Sequence, residues 1–312
     1  MEFFWLALGL ALLVFGGDAL VKGAVGLAEK LGIPTLIIGL TIVAFGTSAP
    51  ELFISIKAAL GGAPGIAIGN VIGSNIANVL LVMGIPAMIA ASRCDDTGIG
   101  RNMAVMIGFT LIFIAMLLDG NLTRFEGMVL IALLLLFIGD QIRTARKSKS
   151  AAAAVSEEVP DHPTSNLLIA GYLIGGLALL PLGAELTVNA ATIIAKSWGV
   201  SDAVIGLTIV AIGTSLPELA TSVMATIRGT SSLAIGNVVG SNIFNIGSIM
   251  GIATVISPMD VDPHFLTHDV WVMLGCAIIV AILAHWKMKI GKRVGVAMLS
   301  AYAIYIGVAF SF

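Results

Sequence analysis

Glutamate occurs twice in this chain where a charged side chain is costly. Residues 46–55 read GTSAPELFIS and residues 213–222 read GTSLPELATS, each inside an apolar stretch. A carboxylate at the centre of a membrane-crossing segment is strongly disfavoured unless paired, and no Lys or Arg lies inside a matching span. Pro50 and Pro217 lack the amide hydrogen and clash with the preceding turn, so each helix must kink or break beside Glu51 or Glu218. Gly46 and Gly213 loosen the same turn. Carbonyls freed there are tolerated only where protein or a bound ion satisfies them. Thr47, Ser48 and Ser55 share a helical face with Glu51 at spacings of three or four, as Thr214, Ser215 and Ser222 do with Glu218. On the following segments Asn70, Ser74 and Asn78 recur every four residues, and Asn237, Ser241 and Asn245 copy them. Carboxylate, hydroxyl, amide and carbonyl oxygens suit hard cations such as Ca²⁺ and Na⁺, and nothing soft is present for copper or zinc.

Bland roles compete for some of these residues. Gly69, Gly73, Gly236 and Gly240 form a small-residue stripe that would bring helices close without any ion. Serine and threonine hydroxyls often satisfy carbonyls of their own helix. The two glutamates have no comparable structural excuse.

The elements that carry them must be membrane helices. The 312 residues are 58% hydrophobic and only 11% charged, with a mean hydropathy of +1.05, whereas soluble domains carry about 25% charged residues. Apolar runs of about 20 residues, long enough to cross the hydrocarbon core, follow one another. They predict ten spans, at 3–28, 36–60, 66–91, 103–119, 124–142, 166–194, 203–227, 233–257, 267–286 and 294–311. Period-two alternation is absent, which argues against an outer-membrane barrel. The opening MEFFW has neither a basic n-region nor an A-x-A-like site, so the first segment reads as a retained span.

The chain is an internal duplication. A shift of 167 residues lays GLTIVAFGTSAPEL (Gly39 to Leu52) on GLTIVAIGTSLPEL (Gly206 to Leu219), and AIGNVIGSNIANVLLVMGI (Ala67 to Ile85) on AIGNVVGSNIFNIGSIMGI (Ala234 to Ile252). The expected organisation is a five-helix repeat at 1–144, a cytoplasmic linker at 145–165 and a second five-helix repeat at 166–312. Five is odd, so the second copy enters from the opposite face: an all-α membrane protein of ten helices in two inverted repeats. Inverted repeats with helices interrupted at matching positions are the architecture of secondary transporters, with the site near the midplane.

Lys and Arg set the orientation. With both termini outside, thirteen basic residues fall at inner ends and loops, and only Lys57, Arg124 and Lys196 at outer ones. Other polar groups are less telling. Cys94 and Cys276 stand alone and read as small buried hydrophobes. Asp18 and Glu185 are repeat-related; Asp18 has Lys22 four residues on, while Glu185 meets Asn189. An ion-pathway role is open to both. His264 and His268, near Asp260, Asp262 and Asp269, read as a hydrated loop rather than a metal site.

The GTS-x-PE and GN-x-x-GSN-x-x-N blocks, at 39–85 and 206–252, resemble the alpha-1 and alpha-2 repeats of the cation/Ca²⁺ exchanger superfamily. The whole chain is similar to its compact bacterial and archaeal Na⁺/Ca²⁺ exchanger branch. The resemblance implies that helices two, three, seven and eight surround the cation sites while helices one and six slide past them. By motif position it implies side-chain ligands at Thr47, Ser48, Glu51, Ser74 and Asn78 and at Thr214, Ser215, Glu218, Ser241 and Asn245, with backbone oxygens of Ala44 and Ala211. Some relatives, including the K⁺-dependent branch, carry Asp where this chain has Asn245.

These readings predict a secondary antiporter, not an enzyme, that exchanges Ca²⁺ for Na⁺ across the cytoplasmic membrane. Its partners are lipid bilayer and inorganic cations, without cofactor, nucleic acid or nucleotide, and a monomer suffices. No GxxxxGK[ST] loop offers ATP drive. A Ca²⁺/H⁺ antiporter would use the same glutamates as proton carriers. An intramembrane hydrolase lacks an accompanying nucleophile pattern, and a channel would favour a glutamate ring over two inverted sites. The orientation has its own test: cysteine at Ser148 should react with impermeant maleimide only after the membrane is opened, and cysteine at Asp262 in intact cells. Labelling of position 148 from outside would refute it.

Overall fold

The computed structural model describes residues 1–93, 98–148, 162–200, 209 and 211–309. Cys94, most of the interhelix linker and the start of the alpha-2 block, including Gly206, lie outside them. The longest elements are α1 (Glu2–Leu31) and α7 (Asn166–Ser197). α1 stops at Gly32, whose left-handed φ of 64° turns its N–H back onto the carbonyls of Ala28 and Glu29. The two helices run antiparallel, with Gly9 beside Gly183, Gly16 beside Leu180 and Gly23 beside Leu173. A Cβ on Gly176 would fall 2.7 Å from Leu20 Cβ, so the seam closes only because small residues line it.

Between these helices lie α2 (Thr35–Thr47), α3 (Ala49–Leu60), α4 (Pro64–Ile89), α5 (Ile99–Leu117) and α6 (Arg124–Ser148). α2 and α3 form one span bent by 44°. The bend sits at Ser48, with φ −83° and ψ 7°, and Pro50 occupies the first turn of α3. Pro50 offers no N–H to the Gly46 carbonyl, and a proline is tolerated at a helix start but not inside one. After α7 the pattern recurs. α8 (Ala211–Thr214) and α9 (Leu216–Ile227) break at Ser215, with φ −87° and ψ 5°, and Pro217 stands in the first turn. α10 (Ser231–Ile256), α11 (Pro263–Thr267), α12 (Asp269–His285) and α13 (Lys292–Ala309) complete the chain. α4 and α10 each contain a π-helical turn, at Asn78–Val82 and Asn245–Met250, and are the most enclosed of the long helices.

Six described helices are long and apolar enough to cross a membrane, and seven with the bent pair α2/α3. The span expected at 203–227 lies partly outside the described residues, which carry α8 and α9 there, and those expected at 267–286 and 294–311 hold α12 (17 residues) and α13 (18 residues), at the short end of what a perpendicular crossing needs. Two antiparallel two-residue ladders tie the helix ends: β1 (Ser92–Arg93) with β4 (Lys289–Ile290), and β2 (Asn121–Leu122) with β3 (Met259–Asp260). The duplication maps each ladder onto the other.

The main core gathers α4, α10, α5, α6, α12 and α13, while α1, α7 and residues of α2, α9 and α10 form a separate apolar cluster. Large side chains such as Phe3, Phe15, Phe53 and Leu136 stand outward and exposed, as lipid-facing positions do.

The expectation that the stripe glycines pack helices together is met at Gly236 and Gly240. A Cβ on Gly236 would sit 2.6 Å from Leu36 O, and one on Gly240 2.6 Å from Ala44 Cβ, so α10 lies directly on α2. On α4, Gly69 meets the Phe265 ring at 3.4 Å, while the positions equivalent to Leu36, Gly39 and Leu40, namely Ala203, Gly206 and Leu207, lie outside the described residues. Gly46 and Gly213 likewise do more than loosen a turn, because Leu177 and Val188 of α7 occupy the space where their Cβ atoms would stand. Gly240→Ala is therefore expected to lower the melting temperature in detergent by several degrees through overpacking of about 1–3 kcal/mol. A melting temperature equal to that of the parent protein would contradict this close approach.

Candidate cation-binding site

Each broken helix delivers one carboxylate to the interior. Glu51 and Glu218 sit in the first turns of α3 and α9, and each is 1% exposed. The carbonyl of each glutamate is tied to the neighbouring long helix by an asparagine amide. Asn70 Nδ2 donates to Glu51 O at 3.3 Å and to Ser55 Oγ at 2.9 Å. Asn237 Nδ2 donates to Glu218 O at 3.4 Å and to Ser222 Oγ at 3.2 Å. These bonds pin α3 to α4 and α9 to α10.

Further bonds cross between the repeats. Ser48 Oγ donates to Glu218 Oε1 at 3.0 Å, and Thr47 Oγ1 to Asn237 Oδ1 at 3.2 Å. Asn78 Nδ2 donates to Asn242 Oδ1 at 3.0 Å, and Asn245 Nδ2 to Asn75 Oδ1 at 2.9 Å. Glu51 and Glu218 stand near enough for their charges to interact. The structure thus gathers the two glutamates, Thr47, Ser48, Asn78 and Asn245 at one junction of four spans. Ser74 and Ser241 are buried one turn before Asn78 and Asn245. Thr214 is half-buried at the end of α8 and Ala211 opens that helix. The Ala44 carbonyl accepts from Ser48 N–H at 3.1 Å, so the break does not free it entirely.

What distinguishes the junction is oxygen without partners. Among the described residues, Glu51 Oε2, Glu218 Oε2, Asn78 Oδ1, Asn245 Oδ1, Ser215 Oγ and Ser241 Oγ are buried with no hydrogen-bond donor. Gln141 Oε1, Thr226 Oγ1 and Thr254 Oγ1 are the others of this kind. An unsatisfied buried polar group costs about 1–3 kcal/mol, more when charged. No ion pair joins either glutamate to a basic side chain among the described residues. Six oxygens left wanting a positive partner, two of them carboxylate, form a hard-ligand set.

Asn75 and Asn242 belong to this network and were not singled out as candidates. Their signal was present: each stands three residues before Asn78 or Asn245, on the same helical face. Other candidates fall elsewhere. Asp18 is held by Lys22 at 3.3 Å and by Arg228, apart from the oxygen cluster, and Glu185 is exposed on α7. Cys276 is a free, buried thiol on α12. His264 lies 4.0 Å from Asp269, His268 contacts Thr267, and no group of three potential metal ligands of the His, Cys, Asp or Glu type forms among the described residues.

Comparison with known proteins gives the arrangement its context. The chain is 39% identical over 287 residues to the putative antiporter CaxA of Alkalimonas amylolytica, covering 91% of this chain and 89% of that one. It is 32% identical to the sodium/calcium exchanger MaX1 of Methanosarcina acetivorans, covering 99% of both. The solved structure of the sodium-calcium exchanger NCX_Mj superposes with a TM-score of 0.84 at 33% identity, covering 98% of this chain and 97% of that one. The profile of the family described as Sodium/calcium exchanger protein matches residues 1–142 and 168–311. The resemblance carried by the paired blocks is thereby borne out, and the chain belongs to the sodium/calcium exchanger family of membrane antiporters.

Proposed function

We propose that this protein exchanges Ca²⁺ for Na⁺ across the cytoplasmic membrane by alternating access, with Glu51 and Glu218 as central cation ligands. The observation that carries the reading is the set of six partnerless buried oxygens, all at positions expected to ligate a cation. Thr47, Ser48, Ser74 and Thr214 complete the side-chain set, with backbone oxygens of Ala44 and Ala211. The chain forms ten spans in two inverted five-helix repeats, with both termini outside and a monomer as the working unit. The antiparallel seam of α1 and α7 supports the inversion, because these helices are copies of one another.

Two carboxylates balance one Ca²⁺ or are occupied by Na⁺ instead. A site stripped of cation carries two negative charges in a poorly hydrated cavity, and moving it past apolar helices is prohibitive. Exchange rather than leak follows. Alternation draws support from unequal enclosure of equivalent residues: Thr47, Asn237 and Gly240 are buried, whereas Thr214, Asn70 and Gly73 are half-exposed. Access on the side of the second group is looser, and exchanging the two packings would reverse it.

The decisive measurement is ⁴⁵Ca²⁺ uptake into proteoliposomes under a Na⁺ gradient and, separately, under a pH gradient. Na⁺ is expected to drive uptake and protons alone are not; the opposite result assigns the glutamates to proton exchange. Glu51→Gln and Glu218→Gln should each weaken Ca²⁺ binding on the order of a thousandfold, since each removes one charge of two from a low-dielectric site. Melting temperature should stay near that of the parent protein. Near-normal flux in either variant would sink the two-carboxylate mechanism. Because Asn245 is neutral, replacing K⁺ by an inert cation is expected to leave flux unchanged, and a several-fold fall would show a K⁺ requirement met by other groups.

A further inference from the structure

We infer that Asn75 and Asn242 are positioning residues that aim the amide oxygens of Asn78 and Asn245 at the transported cation; this rests on the cation-site reading above. A primary amide is ambiguous as a ligand, because its oxygen attracts a cation and its NH₂ repels one. Which end faces the site depends on what holds the other end.

For each of the two amides a three-member chain settles it. Met273 Sδ accepts from Asn75 Nδ2 at 3.7 Å, and Asn75 Oδ1 accepts from Asn245 Nδ2 at 2.9 Å. Asn245 Oδ1 is left as the free end, buried and without a donor. The equivalent chain runs from Met106 Sδ, 3.6 Å from Asn242 Nδ2, through Asn242 Oδ1, 3.0 Å from Asn78 Nδ2, to the partnerless Asn78 Oδ1. Asn75 Nδ2 also donates to the Asn242 carbonyl at 3.4 Å. Turning Asn75 over would set its oxygen against that carbonyl and the methionine sulfur, and its NH₂ against the NH₂ of Asn245. The sulfur at the far end therefore fixes the sense of both amides. Each chain crosses from one repeat to the other, so each half of the protein aims the ligand of its partner half.

Removing the middle acceptor should release the ligand. In Asn75→Leu the NH₂ of Asn245 loses its acceptor and turns toward the carboxylates, where it competes with the cation. The KM for Ca²⁺, measured as ⁴⁵Ca²⁺ exchange in proteoliposomes, should rise roughly tenfold, the scale of one hydrogen bond to a charged group. The maximal rate should stay within about twofold. A carboxylate presents oxygen whichever way it turns, so in an Asn245→Asp background the same Asn75→Leu change should move KM by less than about twofold. An unchanged KM in Asn75→Leu, or an equal rise in both backgrounds, overturns the proposal, since a purely structural asparagine would cost the same in each. Asn245→Ala separates the two readings. If it leaves KM unaltered, the cation-site assignment fails; if it raises KM while Asn75→Leu does not, only the aiming role fails. Should Asn75→Leu not insert into membranes, Asn242→Leu applies the same test through Asn78.

Discussion

Two carboxylates buried without a basic partner set the terms for the rest of this structure. Transfer of an ionised carboxylate into a medium of low dielectric is prohibitive unless charge or donors compensate, and Glu51 and Glu218 face each other's charge as well. The surroundings compensate only in part. Ser48 gives one hydrogen bond to Glu218, and asparagine amides of α4 and α10 satisfy the glutamates' backbone carbonyls. The outer carboxylate oxygens receive nothing. A folded state with that deficit is stabilised by whatever cation enters it, so binding and stability are linked. The proline breaks follow from the same need, because a continuous helix would place each glutamate mid-element with its neighbouring carbonyls already engaged.

The sequence is twofold and the packing is not. Ser48 bonds Glu218, while its counterpart Ser215 has no partner. α10 lies against α2 through Gly236 and Gly240. Outside the repeated blocks the halves also differ in chemistry. Asp18 on α1 is paired with Lys22 and with Arg228 at the end of α9. The equivalent of Arg228 is Gly61, and the equivalent of Asp18 is Glu185, which is exposed. One of two related packings thus has an ion pair that the exchanged packing has no residues to form. In the proposed alternation, that difference would favour one state without altering the site itself.

Much of this was legible in the sequence because the cost of a charge in hydrocarbon is local and large. The apolar runs, the Pro-Glu pairs and the 167-residue repeat each follow from residue type and spacing, and six expected ligand positions carry the partnerless oxygens. The missing parts depend on distant partners. A stripe of period four led to Asn70, Ser74 and Asn78 but passed over Asn75, whose partners Asn245 and Met273 lie far along the chain. Whether a glycine packs a helix depends on the packing adopted, which no residue pattern records; Gly240 lies on Leu40 and Ala44 of the other repeat. The π turns at Asn78 and Asn245 leave no mark in the apolar periodicity either.

The moving parts of the proposed mechanism meet each other mostly through apolar contacts. α1 and α7 meet along a glycine-lined seam and form an apolar cluster apart from the main core. A surface of that kind offers no alternative partner for a buried charge, so it discriminates by net charge alone: a neutralised site is compatible with it and a bare one is not. Amide side chains in the proposed ligand set would preserve that discrimination. Asparagine at positions 78 and 245 supplies oxygen without adding charge, which keeps the load that neutralises the site at two positive charges. A carboxylate at either position would raise the load and change what the seam lets pass. On this mechanism the selectivity of exchange resides in the ligands, while its obligatory character resides in the greasy helices beside them.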